Sequence, residues 1–304
     1  LGLRLDTIPR YKSITWVSHT YCNYKCSYCI PELNAGYDRW KSDYSKIIKI
    51  AKEFREDLPL KFDIMGGEPT LWPQFEEFCN DLNTTGDNTF ITFSTNASRT
   101  LRYWQDWRAN VSEVVISYHP EFADYLHIEK VINILSEKGY NIVLYLMCPP
   151  EYFTKVKKVH QYFLEKNIPC IMWMKVVSDW TGSGKVLSAY NKKQLNYISN
   201  SKHVGKYNKI WDESTRLFGK EIDTRKLISQ KKNNFKGWLC AAGIDYIGIE
   251  ANGDIYGSEC KAFGKIGNIN TGYKLEKKMQ ICPRDWCNCG TDLRITKKLK
   301  KKKR

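Results

Sequence analysis

The chain has 304 residues, enough to bury a large core and to hold one sizeable domain plus a smaller one. No window approaches twenty uncharged residues, and the first ten carry Arg4, Asp6 and Arg10; this argues against a membrane span or secretory signal and predicts a cytoplasmic protein. Of the net charge of +15, the run 297–304 supplies seven and leaves +8, which predicts a disordered basic tail over 293–304 and attraction for anionic substrates rather than nucleic-acid recognition.

In chain order, strand-like and helix-like segments alternate through the first 175 residues. The strand-like runs are 13–18, 60–65, 89–95, 113–118, 141–147 and 170–175. Between them lie amphipathic stretches at 44–54, 74–82, 127–138 and 152–166. In the last, Tyr152, Val156, Val159 and Phe163 recur at three- to four-residue steps, one helical stripe. Such alternation predicts parallel strands joined by crossovers. Six units fall short of the eight that close a full barrel, so the expected fold is α/β, a partial (β/α)6 TIM-like barrel over 1–180. Its functional loops belong at the C-terminal strand ends. A Gly/Ser turn at 178–184 opens a lysine-rich linker over 181–236, with helices predicted at 192–200 and 215–227. From 237 to 292 the chain is rich in Gly and Cys. Asn252-Gly253, between short apolar runs at 246–250 and 254–256, signals a hairpin, and with it a small Cys-rich β-hairpin/helix domain.

Eleven cysteines in a chain expected to be cytoplasmic point to metal or catalytic chemistry rather than disulfides. Cys79, Cys148 and Cys170 stand among apolar neighbours and read as buried packing thiols. Cys22, Cys26 and Cys29 follow the first strand, spaced so that one short loop can wrap three thiolates around one face of an iron–sulfur cluster and leave one iron open. A tetrahedral zinc would need a fourth ligand, for which His19 is the nearby candidate. Gly66-Gly67-Glu68-Pro69 ends the second strand, where glycines let the backbone approach a ligand closely. Ser94-Thr95-Asn96 ends the third strand, Ser117 and His119 the fourth, and Met147 the fifth. Ser94 and Asn96 have an ordinary alternative as caps of the following helix. His127, His160 and His203 read as surface or packing residues, and Trp72, Trp173 and Trp238 as core.

Over residues 13–175 these motifs resemble the radical S-adenosylmethionine (radical SAM) superfamily. The resemblance implies that Cys22, Cys26 and Cys29 hold a 4Fe-4S cluster whose open iron takes the amino and carboxylate groups of S-adenosylmethionine. It implies that Tyr28 contacts the adenine, and that Gly66, Gly67, Glu68 and Pro69 receive the methionine ammonium through peptide groups and a carboxylate. Ser94, Asn96, Ser117 and His119 then hold the carboxylate and ribose, with Met147 on the adenine side. The implied chemistry is reductive cleavage to methionine and a 5′-deoxyadenosyl radical that abstracts a substrate hydrogen, with a flavodoxin or ferredoxin as reductant.

Cys240 and Cys260 flank the predicted hairpin, and Cys282, Cys287 and Cys289 follow. This group resembles the SPASM and twitch extensions of the same family. A full SPASM pattern has seven cysteines; five imply one auxiliary 4Fe-4S cluster on Cys240, Cys260 and two of the other three. The spacing departs from the pattern: six residues separate Gly253 from Cys260, where four are typical, and the pair Cys287-Asn288-Cys289 is unusual. A four-Cys zinc knot is the other reading. The expected enzyme is a radical SAM oxidoreductase or maturase that oxidises, epimerises or cross-links a small polar, sugar-like metabolite or a ribosomally made peptide. Early entry into the barrel leaves no N-terminal peptide-recognition domain and tilts the expectation away from peptides. No cobalamin-binding domain is expected. The competing expectation is a non-catalytic zinc-binding protein with a basic nucleic-acid-binding tail.

Overall fold

A computed structural model of the chain describes residues 11–30, 33–34, 36, 43–177, 189–204, 227–228 and 230–299. Six parallel strands form its centre: β1 (Lys12–Val17), β2 (Leu60–Met65), β3 (Thr89–Thr95), β4 (Glu113–Tyr118), β5 (Asn141–Met147) and β6 (Ile171–Lys175). They pair in chain order, each with the next. The crossovers carry α1 (Ser45–Arg55), α2 (Phe75–Asn83), α3 (Leu101–Asp106), α4 (Tyr125–Glu137) and α5 (Phe153–Glu165). All six C-terminal strand ends therefore point to one side, as the alternating pattern requires.

Period-two alternation sorts the strand residues between two faces. Val114, Ile116 and Tyr118 of β4, Ile142, Leu144 and Leu146 of β5, and Met172 and Met174 of β6 join the helices in the main core. There they share one cluster with Val131 and Leu135 of α4 and Val156 and Phe163 of α5. Each such buried side chain contributes roughly 1.5–3 kcal/mol. The opposite, inner face carries Val115, Val143 and Ile171 as a small separate cluster, with Tyr145 and Trp173 packed on it. Local chemistry agrees with these boundaries: Asp124 accepts from the Leu126 amide at the start of α4, and Thr100 accepts from the Tyr103 amide at the start of α3. The expected strands and helices lie within two residues of the observed ones; short α3 is an addition.

The C-terminal region departs further from expectation. After α6 (Lys192–Ser199) and β7 (His203–Val204) come β8 (Leu239–Cys240), β9 (Tyr246–Ile249), β10 (Asp254–Tyr256), β11 (Lys265–Asn268), β12 (Gly272–Tyr273), β13 (Gln280–Ile281), the five-residue α7 (Gly290–Arg294) and β14 (Lys297–Lys298). The predicted hairpin is β9–β10, but it does not stand apart. β9 pairs in parallel with β1, Ser13 opposite Tyr246, so the hairpin prolongs the central sheet to eleven strands, from β12 at one edge to β7 at the other. Among the described residues no pairing joins those two edges, so the sheet is an open partial barrel. Lys12 secures the junction: its ammonium donates to the Ile244 carbonyl at 2.7 Å and lies 5.2 Å from the Phe54 ring.

For residues 293–299 the expectation of a disordered basic tail is corrected. β13 and β14 flank β8 in a second, three-stranded sheet, with Leu293, Ile295 and Lys297 all buried. Lys297 belongs to a strand because it pairs with Cys240, a partner that no charge count reveals. Residues 300–304, the turn at 178–184 and most of the helix expected at 215–227 lie outside the described residues.

Candidate active site

The loop bearing Cys22, Cys26 and Cys29 is seated by the turn after β2. The Gly67 amide donates to the His19 carbonyl and the Glu68 amide to the Tyr21 carbonyl, both at 2.8 Å. A Cβ on Gly66 would stand 2.5 Å from the His19 oxygen, and one on Gly67 would collide with the Tyr21 carbonyl. The glycines are required because two backbones touch. Their closest approach is thus to the cysteine loop itself.

Glu68 is 1% exposed. Its carboxylate accepts from the Thr70 amide at 3.1 Å, the Thr70 hydroxyl at 2.6 Å, the Thr95 hydroxyl at 2.7 Å and the Asn96 amide at 2.6 Å. Burial raises its pKa and these donors oppose the rise. Three of these donors meet Oε1 and one meets Oε2, so the carboxylate ties the ends of β2 and β3 together. Pro69 starts a buried 3-10 turn beside it. Asn96, also buried, donates to Asn23 Oδ1 at 3.0 Å and lies 3.8 Å from Cys22 Sγ. Thr100 caps α3, so the capping alternative for Ser94 and Asn96 falls away.

The end of β4 grips the loop from the other side. Glu121 accepts from the Ser27 amide at 3.0 Å and the Ser27 hydroxyl at 2.6 Å. Tyr28 is 8% exposed; its hydroxyl hydrogen-bonds His119 Nδ1 at 2.9 Å, and the two rings stack. Phe122 stacks on Tyr24 with ring centroids 5.4 Å apart. Burial lowers His119 to about 4, so the imidazole is neutral at neutral pH. Glu121 went unnoticed in the sequence because only the folded chain brings it 94 positions back to Ser27.

Cys22, Cys26 and Cys29 are half-buried and lie within electrostatic reach of one another. Burial pushes Cys22 up to about 11 and Cys26 up to about 12, so both are thiols until a metal displaces the protons. Among the described residues no three His, Cys, Asp or Glu side chains converge tightly enough for a single metal ion. A single tetrahedral ion needs its thiolates close together, whereas a four-iron cluster is bulkier and holds them further apart. His19, the candidate fourth zinc ligand, is fully buried and accepts the Tyr21 amide at 3.2 Å through Nδ1. Three accessible thiols on one loop, seated by a cradle that admits no Cβ, fit a three-thiolate cluster.

Beside the loop, the inner sheet face carries the remaining predicted positions. Ser94 of β3, Ser117 of β4 and Met147 of β5 are half-buried there. Ser117 is in register with Tyr145, Tyr145 with Trp173, and Met147 with Lys175. The Lys175 ammonium lies 4.1 Å from the Tyr145 ring centroid and 5.3 Å from that of Trp173. Thus Trp173 faces the inner surface rather than the main core, and Tyr145 and Lys175 are additions to the sequence reading. His127 and His160 bond backbone carbonyls, as packing histidines do.

In the second group Cys240, Cys282 and Cys287 share one buried cluster, with Cys260 and Cys289 half-buried. Asp292 of α7, 2% exposed, accepts from the Glu259 amide and the Cys260 amide, both at 2.8 Å. Asn233 Nδ2 donates to the Cys287 carbonyl at 3.1 Å, and the Cys287 amide donates to the Asn233 backbone carbonyl at 2.9 Å. Cys79, Cys148 and Cys170 are buried away from both groups, as expected.

A partial α/β barrel with a three-cysteine loop at its strand ends defines a class of enzyme. Residues 16–178 match the model of the Radical SAM superfamily, and the chain belongs to that superfamily. It is an enzyme whose family works with a 4Fe-4S cluster and S-adenosylmethionine, and the expectation of a non-catalytic zinc protein gives way. The GTP 3′,8-cyclase of Vibrio parahaemolyticus serotype O3:K6 is 29% identical over 100 residues, 32% of this chain and 30% of the relative. That of Actinobacillus pleuropneumoniae serotype 3 is 29% identical over 102 residues, 32% and 29% of the two chains. The chain therefore spans about a third or less of these curated relatives. Among solved structures, anSMEcpe with bound AdoMet and Kp18Cys peptide has a TM-score of 0.57 at 17% identity, covering 86% of this chain and 78% of that one. Streptococcus suis SuiB bound to precursor peptide SuiA has a TM-score of 0.56 at 15% identity, covering 90% and 65%. These two likenesses concern the fold. Among the described residues no helix is long and apolar enough to cross a membrane.

Proposed function

We propose that Cys22, Cys26 and Cys29 hold the 4Fe-4S cluster at which this enzyme cleaves S-adenosylmethionine, and that the substrate lies against the inner sheet face. The observation that carries this reading is the seat of the cysteine loop on Gly66 and Gly67 at the strand ends. With its ligand bound, the cluster supplies the electron that releases a 5′-deoxyadenosyl radical.

The chain's own residues position and shield. Glu121 and the Tyr28–His119 pair fix the cysteine loop on one side, and Asn96 fixes it on the other. Peptide carbonyls around Gly66–Pro69, together with the Glu68 carboxylate, receive the methionine ammonium. Ser94, Asn96, Ser117, His119 and Met147 line the remaining path of the cofactor. Val115, Val143 and Ile171 close the bottom of the inner face and keep water from a radical. Above them Tyr145, Trp173 and Lys175 favour a substrate that offers a planar or anionic group.

Cys240, Cys260 and two of Cys282, Cys287 and Cys289 hold one auxiliary 4Fe-4S cluster in this reading, in a SPASM/twitch-like unit spanning about 237–299. The substrate is a peptide or a small polar metabolite. Peptides gain support from the two peptide-bound structural neighbours, and an anionic small molecule from the GTP 3′,8-cyclases. A reduced flavodoxin or ferredoxin is the proposed electron donor. The test is anaerobic reconstitution followed by dithionite and S-adenosylmethionine, with 5′-deoxyadenosine quantified. Product well above that of Cys26→Ala supports the assignment; equal traces in both proteins would sink it.

A further inference from the structure

Lys297 is 1% exposed, a rare place for an ammonium. β14 sets it opposite Cys240 of β8. Its Nζ donates to the carbonyls of Asp292 and Ile295, the second at 3.0 Å, and lies 5.0 Å from the Phe235 ring centroid. Among the described residues no carboxylate forms an ion pair with it. The nearby acids are engaged elsewhere: Asp292 takes the Glu259 and Cys260 amides, and Asp245 takes the Thr296 amide at 3.0 Å. A buried cation whose contacts are carbonyls and a ring, with the Asp245 carboxylate only in longer electrostatic reach, lacks the direct ion pair that burial ordinarily demands. Phe235, which the Lys297 ammonium approaches, shares one buried cluster with Cys240, Cys282 and Cys287.

We propose that Lys297 is the buried counter-cation of the second cysteine group, a positioning residue that balances a thiolate-ligated cluster and raises its reduction potential. The inference rests on the auxiliary-cluster reading above. Thiolate ligands give a four-iron cluster net negative charge, and reduction adds to it. A fixed cation therefore stabilises the reduced form more than the oxidised one. Cys240 and Cys260 come from opposite ends of a hairpin turn, and Cys287 from a later loop. One charge near two of these segments also opposes the mutual repulsion of their thiolates.

The experiment uses the full chain with Cys22, Cys26 and Cys29 replaced by Ala, so that only the second group binds iron. Iron content and a potentiometric titration followed by electron paramagnetic resonance are compared for Lys297, Lys297→Met and Lys297→Arg. Lys297→Met keeps the buried stem and removes the charge. Its cluster is expected at a more negative potential, shifted by a tenfold or larger change in the oxidised-to-reduced ratio, about 59 mV for one electron. Lys297→Arg is expected near the parent. Loss of the cluster in Lys297→Met with retention in Lys297→Arg also supports the proposal. An unchanged potential in Lys297→Met, or loss of the cluster in both variants, overturns it and leaves the auxiliary cluster standing. A parent without iron overturns both.

Discussion

The two cysteine groups solve opposite problems. All three thiols of the first are half-buried on a loop held by its edges: the Gly66–Gly67 backbone beneath, Asn96 on one flank, Glu121 and His119 on the other. In the second group Cys240, Cys282 and Cys287 are buried, and Asp292 and Lys297, both almost fully buried, stand among them. Cys260 and Cys289 of the second group remain half-buried, so the contrast lies in its three enclosed thiols. The difference teaches that the first group is seated on a backbone cradle with polar side chains at its flanks, and that the second is packed around Asp292 and Lys297.

The sharpest way to break the first arrangement is Gly67→Ala, whose methyl has no space against the Tyr21 carbonyl. We expect a loss of about 3 kcal/mol or more in stability and loss of the first cluster's iron, while iron on the second group is retained. Thermal melting and iron analysis of the reconstituted protein check both. Glu68→Ala follows: removing a carboxylate that satisfies four donors should cost about 2–4 kcal/mol and impair iron loading at the first group. Equal iron loading in Glu68→Ala and the parent would show that the strand-end tie does not seat the loop.

Asp292→Ala tests the other region. Two amides lose their acceptor, the Cys260 turn is released, and about 1–3 kcal/mol should be lost together with iron on the second group alone. If both groups lose iron equally, the two regions are coupled and the comparison fails. The smallest effect is expected for Glu121→Gln, which keeps an acceptor for Ser27 on an exposed surface. Stability should change by less than about 1 kcal/mol, with a modest rise in the S-adenosylmethionine concentration needed for half-maximal 5′-deoxyadenosine formation.

The central fold was largely legible because each strand and helix announces itself locally. Period-two apolar runs such as Phe62–Ile64 fix both the strand and the face it buries. The first cysteine group was legible for the same reason, since its spacing is local and its neighbours end consecutive strands. Glu68 shows the limit: its place in a motif is plain from the sequence, yet its role follows from Thr70, Thr95 and Asn96 converging on it. Trp173 was assigned to the core, but its alternation with Met172 and Met174 turns it to the inner face.

By itself the sequence determined the open run of six parallel strands, the three-cysteine loop and the hairpin around Gly253, because periodicity and turn chemistry act over a few residues. Tertiary structure alone decided that β9 would pair with β1, that Lys297 would leave an apparent basic tail to sit beside Cys240, and that Glu121 would clasp Ser27. Each of these joins segments dozens to hundreds of residues apart. Such contacts are selected by which buried groups find partners once the chain is compact, and no local pattern encodes that outcome.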